Sequence, residues 1–129
     1  MLFRSDLGRD PEALVAAIVG SLQPDALAPI HSNPGPEHVF VDPETLAFTG
    51  VIDFGDAYVS HPSFDMRRWS SPEDRAALLE GYAADAPLTD AFLATWRAVM
   101  ISGLLTWAIE RPDRRAQALE DLPTFLADF

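Results

Sequence analysis

His31, Asn33, His38 and Asp53 are the residues whose types and spacing invite chemistry. In Ile30-His31-Ser32-Asn33-Pro34-Gly35-Pro36-Glu37-His38, a His is followed two positions on by a polar residue and five beyond that by a candidate metal ligand. A turn later, Gly50-Val51-Ile52-Asp53-Phe54-Gly55-Asp56 is an apolar strand that ends in a carboxylate. Metal-assisted phosphoryl transfer needs three such parts: a polar group that orients an acceptor hydroxyl, a ligand that helps hold the cation, and a carboxylate that bridges cation to phosphate.

Each candidate also has a plainer reading. His31 is expected to pack and hydrogen-bond within its loop, since a proton-shuttling role would need an acid partner. The Asn33 amide cannot act as a carboxylate base near neutral pH, although its oxygen still accepts a hydrogen bond from a hydroxyl. His38 can ligate a cation through a neutral imidazole, although Mg²⁺ prefers oxygen donors, or it can sit tucked against the following strand. Asp53 stands at a strand's end, where ligands gather; buried without a cation it would need a donor. Asp56 and Asp65 read as structural, Asp56 capping a turn and Asp65 opening a helix whose dipole favours acids. The pair Arg67-Arg68 suits an anionic substrate, a helix C-terminus or salt bridges to acids. Trp69, Trp96 and Trp107 read as core.

The bulk composition narrows the partners. The 129 residues are 48% apolar and carry a formal charge of −11, from 20 acidic and 9 basic side chains. This is globular composition of about one domain, read here as 1–129. Such a negative surface repels nucleic-acid phosphates and anionic lipid, so neither is expected as a partner. All basic residues are Arg, and Lys and Cys are both absent. Without Cys there are no disulfides or thiolate metal sites, and a cytoplasmic setting is expected. Met1–Asp6 has neither the basic start nor the apolar core of a leader. The longest apolar run, Ala98–Ile109, is too short to span a bilayer and is expected to be buried helix.

The elements that must position the candidates follow from local signals. Asp10-Pro11-Glu12 starts a helix with Leu14, Val15, Ile18, Val19 and Leu22 at helical spacing, stopped by Pro24. Strands are expected over 38–42 and 46–54, with Asp42-Pro43-Glu44-Thr45 as the turn between them. A short helix over 64–69 comes next. Ser71-Pro72-Glu73-Asp74 opens a helix with Leu78, Leu79 and Tyr82 inward. The longest helix runs from Thr89 or Asp90 to about Glu110, and a last one is stopped or kinked by Pro123. Gly103, inside the longest helix, suggests a closely packed neighbour. The fold class is α+β, mostly α: one β-hairpin at about 38–54 with four to five helices.

With loop, hairpin and helical tail in place, the sequence resembles the C-terminal lobe of the aminoglycoside phosphotransferase family over about Ala28 to Arg68. That family writes its loop approximately His-Gly-Asp-Leu-x-Pro-x-Asn, then a Val-Asp-Pro turn and Gly-Val-Ile-Asp-Trp/Phe-Gly-Asp. By this resemblance His31 matches the loop His, Asn33 the catalytic Asp, His38 the metal-binding Asn and Asp53 the Mg²⁺ ligand. Asp65, in His61-Pro62-Ser63-Phe64-Asp65, matches an Asp that braces the loop; a Gly-Pro-Glu-His loop end also occurs in the family. The resemblance implies a kinase-like fold and O-phosphorylation of a small-molecule hydroxyl, with ATP or GTP and Mg²⁺ as cofactors.

Two departures stand out: Asn33 replaces the acid, and the roughly thirty residues before the loop leave no room for a Gly-rich, Lys-bearing N-terminal lobe. The chain alone is therefore expected to be inactive or incomplete: a phosphotransferase part, a silent binding module, or one half of a pair with a separate N-lobe. The uncovered hairpin should expose an apolar patch beside Val39, Val41 and Ile52, open to self-association or a partner.

Overall fold

The structure, a computed structural model, describes residues 7–129. Met1–Asp6, read above for a leader, lie outside the described residues. The described elements are α1 (Pro11–Ser21), β1 (Ala28–Ile30), β2 (Val39–Val41), β3 (Phe48–Val51), β4 (Tyr58–Ser60), α2 (Pro72–Asp85), α3 (Asp90–Glu110) and α4 (Arg115–Leu126). Short 3-10 turns cover Pro36–His38 and Pro62–Met66. The fold is the expected α+β class, mostly helical and consistent with a kinase-like C-terminal lobe. It divides into two compact units, one formed by the segment ending at Pro24 with Asp90–Phe129, the other by Asp25–Thr89.

The first unit is helical. Asp10 caps α1 as its signal requires, its carboxylate accepting from the Ala13 N–H at 3.0 Å. The apolar residues of α1 divide between two lines about 100° apart, and only one line is packed. Leu14 is 3% exposed, whereas Val15 and Val19 stay 57% and 61% exposed, which corrects the single inward face read from spacing. Helix α3 runs from Asp90, as its start signal indicates, and buries Phe92, Ala94, Val99, Met100, Ile101, Leu104 and Ala108. Its 21 residues match the expected span, but the whole helix, unlike the run Ala98–Ile109 alone, is long and apolar enough to cross a membrane by length and composition. Its buried residues make it a core helix of this unit, with α4 packed along it and Trp96 edge-on to Phe125 at 5.4 Å.

The α3–α4 corner is closed by Arg115, which donates to the Ala108 carbonyl at 2.8 Å, and by the Arg114 guanidinium over the Trp107 ring. Such donors satisfy carbonyls that a helix end leaves open. Helix α4 continues through Pro123, so of the stop or kink expected there the stop does not occur. Leu122, Phe125 and Leu126 are buried on either side of the proline, so packing outweighs the lost backbone bond. Arg9 then donates to the carbonyls of Leu126 and Phe129 at the helix end. The neighbour expected at Gly103 is not there: a Cβ built at this position meets nothing within 4 Å.

The second unit holds two antiparallel ladders, β2–β3 and β1–β4. The β2–β3 hairpin is the expected one, with Val39 opposite Val51 and a register shift between Phe40 and Val41. Its turn is held by the Asp42 carboxylate, which accepts from the N–H groups of Glu44 and Thr45, both at 2.9 Å. The β1–β4 ladder, pairing Ile30 with Tyr58 and Ala28 with Ser60, was not legible in the sequence. The expected helix over 64–69 is the 3-10 turn Pro62–Met66 instead. Ser71 caps α2 by accepting from the Asp74 N–H at 3.0 Å, but the buried residue of that helix is Arg75, while Leu78, Leu79 and Tyr82 are half-buried.

Candidate phosphoryl-transfer site

The two ladders fix where loop 31–38 lies relative to the Asp53–Ala57 turn. Continuing β1–β4 two residues past Ile30 and Tyr58 brings Ser32 to Asp56, and the Ser32 hydroxyl donates to the Asp56 carbonyl at 3.0 Å. Continuing β2–β3 outward, the Ile52 N–H donates to the His38 carbonyl at 3.0 Å, which leaves Asp53 beside His38. The loop's start therefore meets the turn's end, and the loop's end meets the turn's start. Residues far apart in sequence become neighbours because antiparallel pairing forces it.

His31, only 7% exposed, is bonded at both ring nitrogens. Nδ1 accepts from the Asn33 N–H at 3.2 Å, so the hydrogen is on Nε2, which donates to the Ile52 carbonyl at 2.6 Å. Its ring also packs against Phe54 at 4.7 Å. His38 differs: Nδ1 donates to the Asn33 carbonyl at 2.9 Å, and Nε2 pairs with Asp53 Oδ2 at 3.3 Å. Asn33 is thus tied down through its backbone, whose carbonyl also accepts from Gly35 N–H and Arg68. Its side-chain amide has no hydrogen-bond partner among the described residues.

Two of the three described non-glycine residues with positive φ lie here, the third being Leu46 in the hairpin turn. Ser32 has φ +83° and Asp53 φ +69°, both in the left-handed region that L side chains avoid at about 1–2 kcal/mol each. Ser32 stands where the family pattern has Gly, the residue for which that conformation carries no steric cost. Its hydroxyl bond to Asp56 offsets part of the strain.

The loop is held from below by one short segment. The Asp65 carboxylate accepts from two consecutive backbone N–H groups, His31 at 3.1 Å and Ser32 at 2.7 Å. The next residues donate to consecutive loop carbonyls. Arg67 reaches Ser32 at 3.3 Å, Arg68 reaches Asn33 at 3.2 Å, and the Trp69 indole N–H reaches Pro34 at 2.8 Å. Arg68 also pairs with Glu37, and Arg75 fastens the following chain through the carbonyls of Trp69 and Ser70. A Cβ at Gly35 would lie 2.6 Å from Glu37 Oε2 and 2.8 Å from Arg68 Cζ, so the Glu37–Arg68 pair would have to shift to admit one. The Glu37 carboxyl is held below its usual range by its own backbone N–H and by Arg68. Asp65 therefore acts across the chain rather than on its own turn's dipole. Asp56 contributes its carbonyl, and its carboxylate accepts no hydrogen bond from a described residue, so the cap expected of it is not formed. Sequence reading missed the Arg67-Arg68-Trp69 clamp because consecutive donors carry no signature of the backbone they will meet.

A second cluster was also missed. The Ser63 hydroxyl lies 2.7 Å from His61 Nδ1, and His61 Nε2 lies 2.8 Å from Asp25 Oδ2. The order mimics a nucleophile, base and orienting acid. Ser63, however, is 0% exposed, and its own N–H also donates to His61, so the group is a buried brace that no substrate reaches. The hydrogen bond from His61, aided by the Ala26 N–H, holds the Asp25 carboxyl below the ordinary Asp range. A lowered folded-state pKa stabilises the fold above the unfolded value of about 3.9, and that stabilisation is lost as pH falls through the folded value. Acid denaturation below about pH 4 should therefore be shallower in Asp25→Asn than in the parent chain, as followed by circular dichroism.

Among the described residues no group of three or more His, Asp or Glu is placed to hold an ion. The donor set still fits a nucleotide-borne cation. Such ions are held by one or two protein ligands, with phosphate oxygens and water completing the shell. His38 Nε2 and Asp53 Oδ2 supply two donors on one side, and Asp53 is 65% exposed on its side chain, open to a ligand.

A model of the phosphotransferase enzyme family matches residues 4–111, most of the chain and the whole of this site. The chain belongs to that family. It is 36% identical over 99 residues to the N-acetylmuramate/N-acetylglucosamine kinase of Caulobacter vibrioides, covering 68% of this chain and 27% of the relative. No solved structure matches it significantly. The chain thus spans about a quarter of the length of the curated relative it matches. For this phosphotransferase-family chain, the matched region takes in both ladders, the loop and its clamp.

Proposed function

We propose that this chain carries the acceptor loop and cation-holding half of an ATP-dependent phosphotransferase acting on a small-molecule hydroxyl, with a sugar as the acceptor class. The observation that supports it most is the 3.3 Å approach of His38 Nε2 to Asp53 Oδ2, beside an Asn33 whose amide is unengaged. In this reading Asp53 and His38 hold the Mg²⁺ that travels with ATP or GTP, and Asn33 orients the acceptor hydroxyl. His31, Asp65 and the carbonyl of Asp56 keep the loop in shape. Such a cation neutralises charge on the transferring phosphoryl group, and the chain's own part is to place acceptor and cation correctly.

A second reading draws on Asn33 and on the absence of Lys from the 129 residues. Positioning and electrostatics supply nearly all phosphoryl-transfer catalysis, so a chain without a carboxylate or a phosphate-binding Lys is catalytically silent by itself. The Lys-bearing remainder would then come with it, on the same polypeptide, as a separate N-lobe, or not at all. The hairpin surface suits such a partner or a second copy: Val41, Phe48, Ile52 and Phe54 are each 46% to 67% exposed, with Val39 half-buried.

Thermal denaturation with ATP and a divalent cation tests the proposal. A ligand at one hundred times its Kd stabilises by about 2.7 kcal/mol, so a rise in Tm is expected, and Asp53→Ala should remove it. A rise that survives Asp53→Ala would contradict the site.

A further inference from the structure

We infer that the peptide bond between Asn33 and Pro34 is a self-cleavage site, opened by the side-chain amide of Asn33 acting on its own main-chain carbonyl. The inference stands apart from the phosphotransferase reading and needs only the loop as it folds. Three observations carry it.

The first is the surroundings of the Asn33 carbonyl oxygen. It accepts from the Gly35 N–H at 3.0 Å, from His38 Nδ1 at 2.9 Å and from Arg68 Nη1 at 3.2 Å. A carbonyl oxygen has two lone pairs, so three donors, one of them cationic, exceed what the ground state uses. The oxyanion of a tetrahedral intermediate has three lone pairs and a full charge, and takes all three. Donors that gain strength only as charge develops are the ones that lower a barrier. They are also fixed in advance. Arg68 is paired with Glu37, and the Trp69 indole N–H holds the adjacent Pro34 carbonyl at 2.8 Å.

The second is the nucleophile. The Asn33 side-chain amide has no hydrogen-bond partner among the described residues, while its backbone N–H and carbonyl are both held. Attack on its own carbonyl carbon closes a five-membered ring, an intramolecular reaction of high effective concentration. The third is Pro34. The common attack on an Asn side chain comes from the backbone nitrogen of the next residue, and Pro34 has no N–H to lose. Deamidation by that route is closed, which leaves attack in the other direction.

In the step, Asn33 Nδ2 bonds to the Asn33 carbonyl carbon and gives one proton to water. The oxyanion collapses, the bond from that carbon to the Pro34 nitrogen breaks, and the nitrogen takes a proton from water. The products are residues 1–33, ending in a cyclic succinimide, and residues 34–129, starting with the free amine of Pro34. Nothing is oxidised or reduced, and the two masses sum to that of the parent until water opens the ring. An amide nitrogen is a weak nucleophile, so this is an ageing reaction rather than a turnover step. The cut falls inside the loop and separates Asn33 from His38.

The test incubates the whole chain at mildly alkaline pH, folded and in guanidinium chloride, and follows fragments by mass spectrometry and N-terminal sequencing. The folded chain is expected to release a fragment starting at Pro34 at least about tenfold faster than the unfolded one, a fraction of the 10²–10³ that one oxyanion donor typically supplies. Asn33→Asp, which replaces the attacking nitrogen with a carboxylate, should abolish the cut at this pH. Arg68→Met, with its fold checked by circular dichroism, should slow the folded chain by about tenfold and leave the rate in guanidinium chloride unchanged. An intact folded chain, equal rates folded and unfolded, or a cut that persists in Asn33→Asp would overturn the inference. So would an Arg68→Met chain that stays folded and cleaves at the parent's rate.

Discussion

Asn33→Asp should raise phosphoryl transfer from ATP to a sugar hydroxyl by about 10²–10⁴, the usual worth of a positioned general base. The measurement is made with the chain supplied with a nucleotide-holding N-lobe. The loop should tolerate the change, because every hydrogen bond at position 33 is made by its backbone: the N–H to His31, and the carbonyl to Gly35, His38 and Arg68. Only the chemistry of the side chain changes, from an amide that can orient a hydroxyl to a carboxylate that can also take its proton. The gain should appear in kcat and leave nucleotide affinity nearly unchanged. An unchanged rate with nucleotide bound would show that position 33 does not face the acceptor.

Asp65→Ala should cost about 3 kcal/mol of stability, read by urea unfolding, since hydrogen bonds to a charged group contribute about 1.5–3 kcal/mol each and two are lost together. The N–H groups of His31 and Ser32 would be left without their acceptor, at a residue already strained at φ +83°. Asp65→Asn keeps one good acceptor oxygen and should cost about half as much. A loss below about 0.5 kcal/mol for the Ala variant would mean that the loop's shape comes from the Arg67-Arg68-Trp69 clamp alone.

The sequence made the helix starts legible because capping is local. Asp10 and Ser71 each bond an N–H three residues on, and nothing distant enters. The hairpin was legible for a similar reason, its Val- and Phe-rich strands flanking an Asp42 turn. The β1–β4 ladder was not, because three-residue strands give no periodicity and Pro29 argues against a strand unless it lies at an edge. Helix α4 defied Pro123 because tertiary burial of Leu122 and Phe125 is invisible to a local rule.

For the site, residue types revealed the candidates, and two-ended pairing of loop and turn brought His31, Asn33, His38 and Asp53 together. What sequence could not supply was the clamp. Arg67 and Arg68, open to reading as anion receptors, spend their donors on the loop's own carbonyls. Nor could it supply the tautomers, which depend on carbonyls at Asn33 and Ile52 reached only in the fold.

In the proposed function, the loop ending at His38 and the turn beginning at Asp53 form one phosphate-facing site. Paramagnetic broadening of the backbone amide NMR spectrum by Mn²⁺–ATP tests it most directly. The amides of Asn33, His38, Asp53 and Phe54 are predicted to broaden first and together, and to be spared in Asp53→Asn. Broadening that begins instead on the acidic helices and leaves these four sharp would contradict it.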